Sequence, residues 1–145
     1  MLTVEIVSTS ELQELRQLVL WPHLTIEECI IGPDEIDSTY QIVVKDEGNV
    51  VCCGTFLVET KAQFNFANQY RLRAMGTHPD YRKKGLGKLL IDFAKEQLKQ
   101  NGVDLIWCDA RIVATGFYQK QGFKIIGEQY EVPVIGPHYL MYIEL

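Results

Sequence analysis

No uncharged apolar run in the chain approaches the roughly 18 residues that a membrane-spanning helix needs, so a membrane partner is not expected. Cysteine is sparse and wrongly spaced for a metal centre: Cys29, Cys52, Cys53 and Cys108 make no Cys-x-x-Cys or Cys/His ligand pattern. Cys52 and Cys53 are adjacent, and neighbouring residues of a strand point to opposite faces. The expectation is no metal and four reduced, mostly buried thiols in a cytoplasmic protein. Positive charge is the minority, with 14 Lys and Arg against 19 Asp and Glu and a net charge of −5. A broad nucleic-acid footprint is therefore not expected, whereas a cationic ligand remains compatible. There is no internal repeat and no low-complexity linker. The opening MLTVEIV carries Glu5 and lacks a basic lead and a small-residue cleavage site, so it reads as a first strand rather than a signal peptide. At 145 residues the expectation is one domain spanning 1–145.

Periodicity supplies the elements. From Ser10, a candidate N-cap, Leu12, Leu15 and Leu18/Val19 recur at helical spacing until Pro22. Residues 24–38 read as an irregular loop containing Asp34, Glu35 and Asp37. Two β-rich runs then flank Asp46-Glu47-Gly48-Asn49, a hairpin turn signal. QYRLRAMGTH alternates polar and apolar residues and should be a strand ended by Pro79. A long helix follows, with Leu86, Leu89, Leu90, Phe93, Ala94 and Leu98 as its apolar face and Asn101-Gly102 as its stop. VDLIWC is nearly all apolar, as in a strand buried on both faces. IVATGFYQKQ reads as a short helix, and FKIIGEQYEV and HYLMYIEL as two closing strands. The class is α/β, with a mixed, mostly antiparallel sheet and one central βαβ unit.

The chemistry concentrates in HPDYRKKGLGKLL, residues 78–90. A loop entering a helix leaves the first backbone N–H groups unpaired, and the helix dipole adds partial positive charge there. Gly85 and Gly87 clear side chains from the approach of a bulky anion, and Arg82, Lys83, Lys84 and Lys88 add full charges. The ligand that suits all of this is a phosphate or pyrophosphate. A dinucleotide fingerprint would need glycine where Leu90 stands. A P-loop would need Ser or Thr where Leu89 stands.

Arg82-x-x-Gly85-x-Gly87 after a strand ending in His78-Pro79 resembles the acyl-coenzyme A loop of the GNAT superfamily of N-acetyltransferases. The resemblance continues in order through the amphipathic helix, the buried strand, and Ala114-x-x-Phe117-Tyr118-x-x-x-Gly122-Phe123. With the β-α-β-β lead-in and the closing Gly136-Pro137-His138-Tyr139-Leu140-Met141, it covers nearly the whole chain. It implies a GNAT fold whose strands 70–78 and about 103–108 run parallel and splay apart. The co-substrate implied is acetyl-CoA, and the activity is direct transfer of its acetyl group to a primary amine, that of an amino acid or another small molecule. The alternatives are a peptide or protein amine, an acyl-CoA-binding module without turnover, or an interaction domain whose basic loop only solubilises it. Relatives are often dimers through their C-terminal strands, which makes a homodimer an expectation.

Carried over residue by residue, backbone groups near Met75, Gly76 and Thr77 would pair with the pantetheine arm and polarise the thioester. Amides at Lys84, Gly85, Leu86, Gly87 and Lys88 would hold the pyrophosphate, with Arg82 and Lys83 adding charge. Tyr118 matches the tyrosine that protonates the departing thiolate; the alternative is a core aromatic. Many relatives place a glutamate base on the strand before the loop, where this chain has Arg71 and Arg73. The base is therefore sought in His138, since imidazole changes charge near neutral pH, or in Glu27 or Glu28; His78 ranks below them. Arg111 stands where relatives often carry Asn. It is expected either to bind a substrate carboxylate or to pair with Asp109 on the surface. Glu28 and the acidic residues 34, 35 and 37 are candidates for the acceptor side.

Overall fold

The computed structural model describes all residues 1–145. Its strands are β1 (Leu2–Val7), β2 (Tyr40–Asp46), β3 (Asn49–Val58), β4 (Gln69–Thr77), β5 (Leu105–Arg111), β6 (Lys124–Val132) and β7 (Gly136–Glu144). Three helices, α1 (Gln13–Val19), α2 (Leu86–Gln100) and α3 (Thr115–Lys120), lie between them. All seven strands form one sheet in the order β1-β2-β3-β4-β5-β7-β6. Every neighbouring pair is antiparallel except β4 and β5, which the α2 crossover makes parallel. The mixed sheet and central βαβ unit read from the sequence are both present.

Local chemistry explains several boundaries. The β2–β3 turn is Glu47-Gly48, with φ of 48° and 81°, the left-handed pair that a two-residue hairpin turn requires. Helix α2 stops as Asn101-Gly102 predicts: Gly102 has φ +82°, and Val103 N–H bonds back to the Leu98 carbonyl at 3.0 Å. Ser10 is not the cap of α1. A short 3-10 turn, Thr9–Glu11, precedes the helix, and Ser10 lies inside it. On α2, Ile91 is fully buried whereas Leu89 is 41% exposed, because Leu89 lies about 140° round the helix from the centre of the buried face.

The sheet is covered on both faces. Beneath α2, Leu90, Ile91, Ala94 and Leu98 pack on Ile42, Val44, Phe56, Leu72 and Ile106. On the opposite face Leu15 of α1 and Leu12 just before it pack on Val43 and Cys53. The alternation of even and odd residues along β2 is the period of two that strands impose.

The α1 face also holds a buried ion pair that the periodicity did not disclose. Arg16, on α1, grips Asp34 with two bonds of 2.7 and 2.9 Å and also donates to Thr55 Oγ1 at 2.7 Å. Gln41 and the Ile31 N–H donate to the same carboxylate at 2.8 and 2.7 Å. Asp34 is thus a fastener for the 24–38 crossover and not an acceptor-side charge, a correction to the loop reading; Glu35 and Asp37 stay exposed. Burial alone would raise the Asp34 pKa, but the bonds from Arg16, Ile31 and Gln41 outweigh it and hold the carboxyl below its ordinary range.

Asp34→Asn strands the buried Arg16 guanidinium, and urea unfolding at neutral pH should register a loss of about 3–5 kcal/mol. Because the folded pKa is depressed, the pair's contribution is present above the ordinary carboxylate pKa and lost as pH falls through the folded value. The difference between variant and wild type should therefore shrink in acid.

Candidate active site

The site begins where two strands stop pairing. β4 and β5 are bonded only through Gln69–Arg71 and Leu105–Trp107; beyond that point β4 runs on to Thr77 and β5 to Arg111. The parting coincides with a bulge in which Ala74 and Met75 oppose the single residue Gly54 of β3. Ala74 there has φ +53°, a left-handed conformation unusual for a residue with a Cβ. A Cβ on Gly54 would lie 3.2 Å from a Leu90 methyl of α2, so glycine lets the helix sit directly over the bulge.

Beside the unpaired end of β4 lies a cavity of about 460 Å³. One wall is β4 at Met75, Gly76 and Thr77; the other is α3 at Phe117 and Tyr118; the floor is the 82–88 loop, of which Lys84 alone does not line the cavity. Gly76 also lets α1 close on β4, since a Cβ there would meet Val19 at 2.6 Å.

The loop is made of unbonded donors. None of the amides from Arg82 to Lys88 donates to a protein acceptor, and the first that does is Leu89, to the Gly85 carbonyl at 3.1 Å. Lys83 and Gly85 are left-handed, with φ of 62° and 78°, which curls successive N–H groups into an anion-binding concavity. Arg82 and Lys83 carry no ion pair and face the cavity. The Lys84 ammonium lies 5.3 Å over the Tyr81 ring, and Lys88 pairs with Asp92 at 2.5 Å, so part of its charge is already answered. Gly85 has open space around it and is needed for its φ. Gly87 has a different reason: a Cβ there would stand 2.7 Å from the Phe117 ring.

A second cavity of about 290 Å³ adjoins the first on the α1 face, and Met75, Ala114 and Tyr118 line both. Tyr118 is only 9% exposed; its hydroxyl reaches nothing but the Met75 sulfur, at 3.8 Å. Burial, and then the neighbouring thiols Cys108 and Cys52, push its pKa far above the ordinary phenol value. The second cavity also takes in Trp21, Arg73, Asp109, Arg111 and His138.

An acetyltransferase (GNAT) domain profile matches residues 37–125. The chain belongs to the GNAT acetyltransferase family. It is 34% identical over 142 residues to the uncharacterized N-acetyltransferase YitI of Bacillus subtilis (strain 168), covering 98% of this chain and 95% of that one. The fold superposes on Escherichia coli ElaA with a TM-score of 0.77 and 20% identity, over 98% of this chain and 99% of that one. An aminoglycoside 6'-N-acetyltransferase complexed with coenzyme A gives a TM-score of 0.78 at 14% identity, over 98% and 96% of the two chains.

Within this GNAT frame, the residues singled out from sequence divide. The β4 segment 75–77, the loop and Tyr118 converge on one cavity; Arg111 and His138, paired across β5 and β7, converge on the other. Glu28 does not join them. Its carboxylate accepts the Thr25 N–H at 2.9 Å in the exposed crossover, which lowers its pKa, and it lines neither cavity. Arg111 does not pair with Asp109, which is held instead by Arg71 at 2.7 Å and by the Tyr130 hydroxyl. Cys108 is buried with its pKa pushed up, chiefly by desolvation, the state of an inert thiol. Arg73 and Trp21 were not read as site residues. The signal for Arg73 was an arginine alternating with Leu72 on an otherwise apolar strand, where a charge must face a partner or a cavity.

Gly87→Ala should drive the Phe117 ring into the larger cavity. Calorimetric titration with CoA is expected to show affinity at least ~10-fold weaker, with unfolding free energy changed by no more than the ~1–3 kcal/mol of an overpacked contact.

Proposed function

We propose that the chain is an acetyl-CoA-dependent N-acetyltransferase acting on the primary amine of a small molecule. The observation that carries this reading is the junction of two cavities at Tyr118 and Met75, one floored by the unbonded 82–88 amides and the other opening on the α1 face. A diphosphate suits the loop, because seven consecutive amides without acceptors, a helix N-terminus and free cations all ask for an anion. The extended pantetheine arm suits β4, whose edge toward β5 is left without strand partners after Arg71. The acceptor cavity, about 290 Å³, lies near the lower end of small-ligand sites and favours a metabolite over a protein segment.

When bound, acetyl-CoA supplies an acetyl group activated as a thioester. The chain's own residues then have three tasks. Backbone N–H groups on the free edge of β4 near Met75–Thr77 donate to the developing oxyanion, preorganised by the strand itself. Tyr118 keeps its proton at any ordinary pH, because a buried phenolate is penalised, and so would be available as a hydrogen-bond donor to the departing sulfur. His138 removes the proton of the incoming ammonium. Its Nδ1 lies 2.8 Å from the Gly136 carbonyl, which can only accept, so in the neutral ring Nδ1 carries the hydrogen and Nε2 the lone pair. Nε2 has no partner in the protein, and the ring is held against Tyr130 at a centroid distance of 6.2 Å.

Free-thiol release with a panel of amines is the direct test, and no release with any amine would defeat the transferase reading. Tyr118→Phe should lower kcat by roughly 10²-fold or more while the calorimetric affinity for CoA stays within about twofold. His138→Gln should cost a similar factor near neutral pH.

A further inference from the structure

The acceptor cavity is cationic in a chain that is anionic overall. Arg73 of β4 and Arg111 of β5 both line it, and neither makes a hydrogen bond or ion pair within the protein. The only carboxylate lining that cavity, Asp109, is already engaged by Arg71 at 2.7 Å and by Tyr130. Arg71 itself is further tied to Glu59 at 3.2 Å. Arg73 is the more telling of the two free arginines. It is half-buried, and desolvation, followed by the neighbouring Arg71, disfavours its charge. A desolvated guanidinium without a counter-ion costs stability unless something anionic completes it.

We infer that the acceptor carries an anionic group beside its amine, and that Arg73 and Arg111, one on each of the parted strands, hold that group. The inference rests on the acetyltransferase reading and narrows it. The anion lies between the two arginines and the amine end turns toward Tyr118 and Met75, where the cavities meet. A carboxylate or a phosphate satisfies two guanidinium forks equally well. Trp21 and Leu20 give the same cavity an apolar wall for the rest of the molecule. Polyamines and aminoglycosides, which bring only positive charge, are disfavoured by the same two residues.

Matched pairs test this on the whole chain. Calorimetry with CoA-saturated protein compares N-acetylated amino acids with their carboxamides; thiol release compares amino acids with amino acid amides, and phosphoethanolamine with ethanolamine. The anionic member of at least one pair should be preferred roughly 10- to 100-fold, the range of a charge-assisted contact, and which pair responds distinguishes carboxylate from phosphate. Arg73→Gln and Arg111→Gln should each reduce that preference about 10-fold, through KM more than kcat, with CoA affinity retained as the control for folding. Equal use of neutral and anionic members, no binding of any anionic member, or a preference that survives in the double variant would overturn the subsite. Anion-selective binding without thiol release would instead defeat the transferase reading and leave the subsite standing.

Discussion

The failure of β4 and β5 to stay paired is the constraint on which the rest of this structure depends. A parallel pair inside a seven-stranded sheet would ordinarily be its most protected part, buried on both faces and bonded along its length. Here the bonding ends after three residues of each strand, and a left-handed Ala74 turns β4 away. The open edge exposes backbone donors to a cavity instead of to a neighbouring strand. Each feature of the site is placed relative to that opening: the donor loop at its mouth, Tyr118 at its apex, and the second cavity beyond.

Such an opening is unstable unless its sides are held, and the holding is done at a distance from the chemistry. On one face, α2 lies over Gly54 and Leu72 and carries the loop on its N-terminus. On the other, α1 sits against Gly76 and is locked by the Arg16–Asp34 pair with Gln41 and Thr55. A second charged network, Arg71 with Glu59 and Asp109, spans β4 and β5 near the point of parting, with the Arg71 guanidinium 5.0 Å over Trp107. The two networks use opposite charges to fix geometry, and in doing so they leave Arg73 and Arg111 as the unmatched charges of the cavity.

Much of this was legible from residue order. Element types followed from periodicity, the hairpin from Glu47-Gly48, the end of α2 from Asn101-Gly102, and the donor loop from two glycines among four cations. The GNAT resemblance linked the loop to Tyr118 across thirty intervening positions. What misled was polarity read locally. Asp34 looked like a solvated loop acid because its partner is 18 residues back on a helix. Glu28 looked available because its bond to the Thr25 amide is a feature of folded backbone alone. Asp109 looked like a partner for Arg111, two residues away, but residues i and i+2 of a strand share a face without needing to pair, and Arg71 reached it first from the adjacent strand.

The sequence by itself determined the donor character of the loop, because unpaired amides, glycine conformations and fixed charges are properties of a short contiguous stretch. It also determined which face of each strand and helix is apolar. Only the tertiary structure decided which charges are cancelled and which are free, since that depends on pairs brought together from distant positions. It also assigned Gly87 to the packing of Phe117, drew Asp34 away into the ion pair with Arg16, and set Arg73 beside Arg111 in the second cavity.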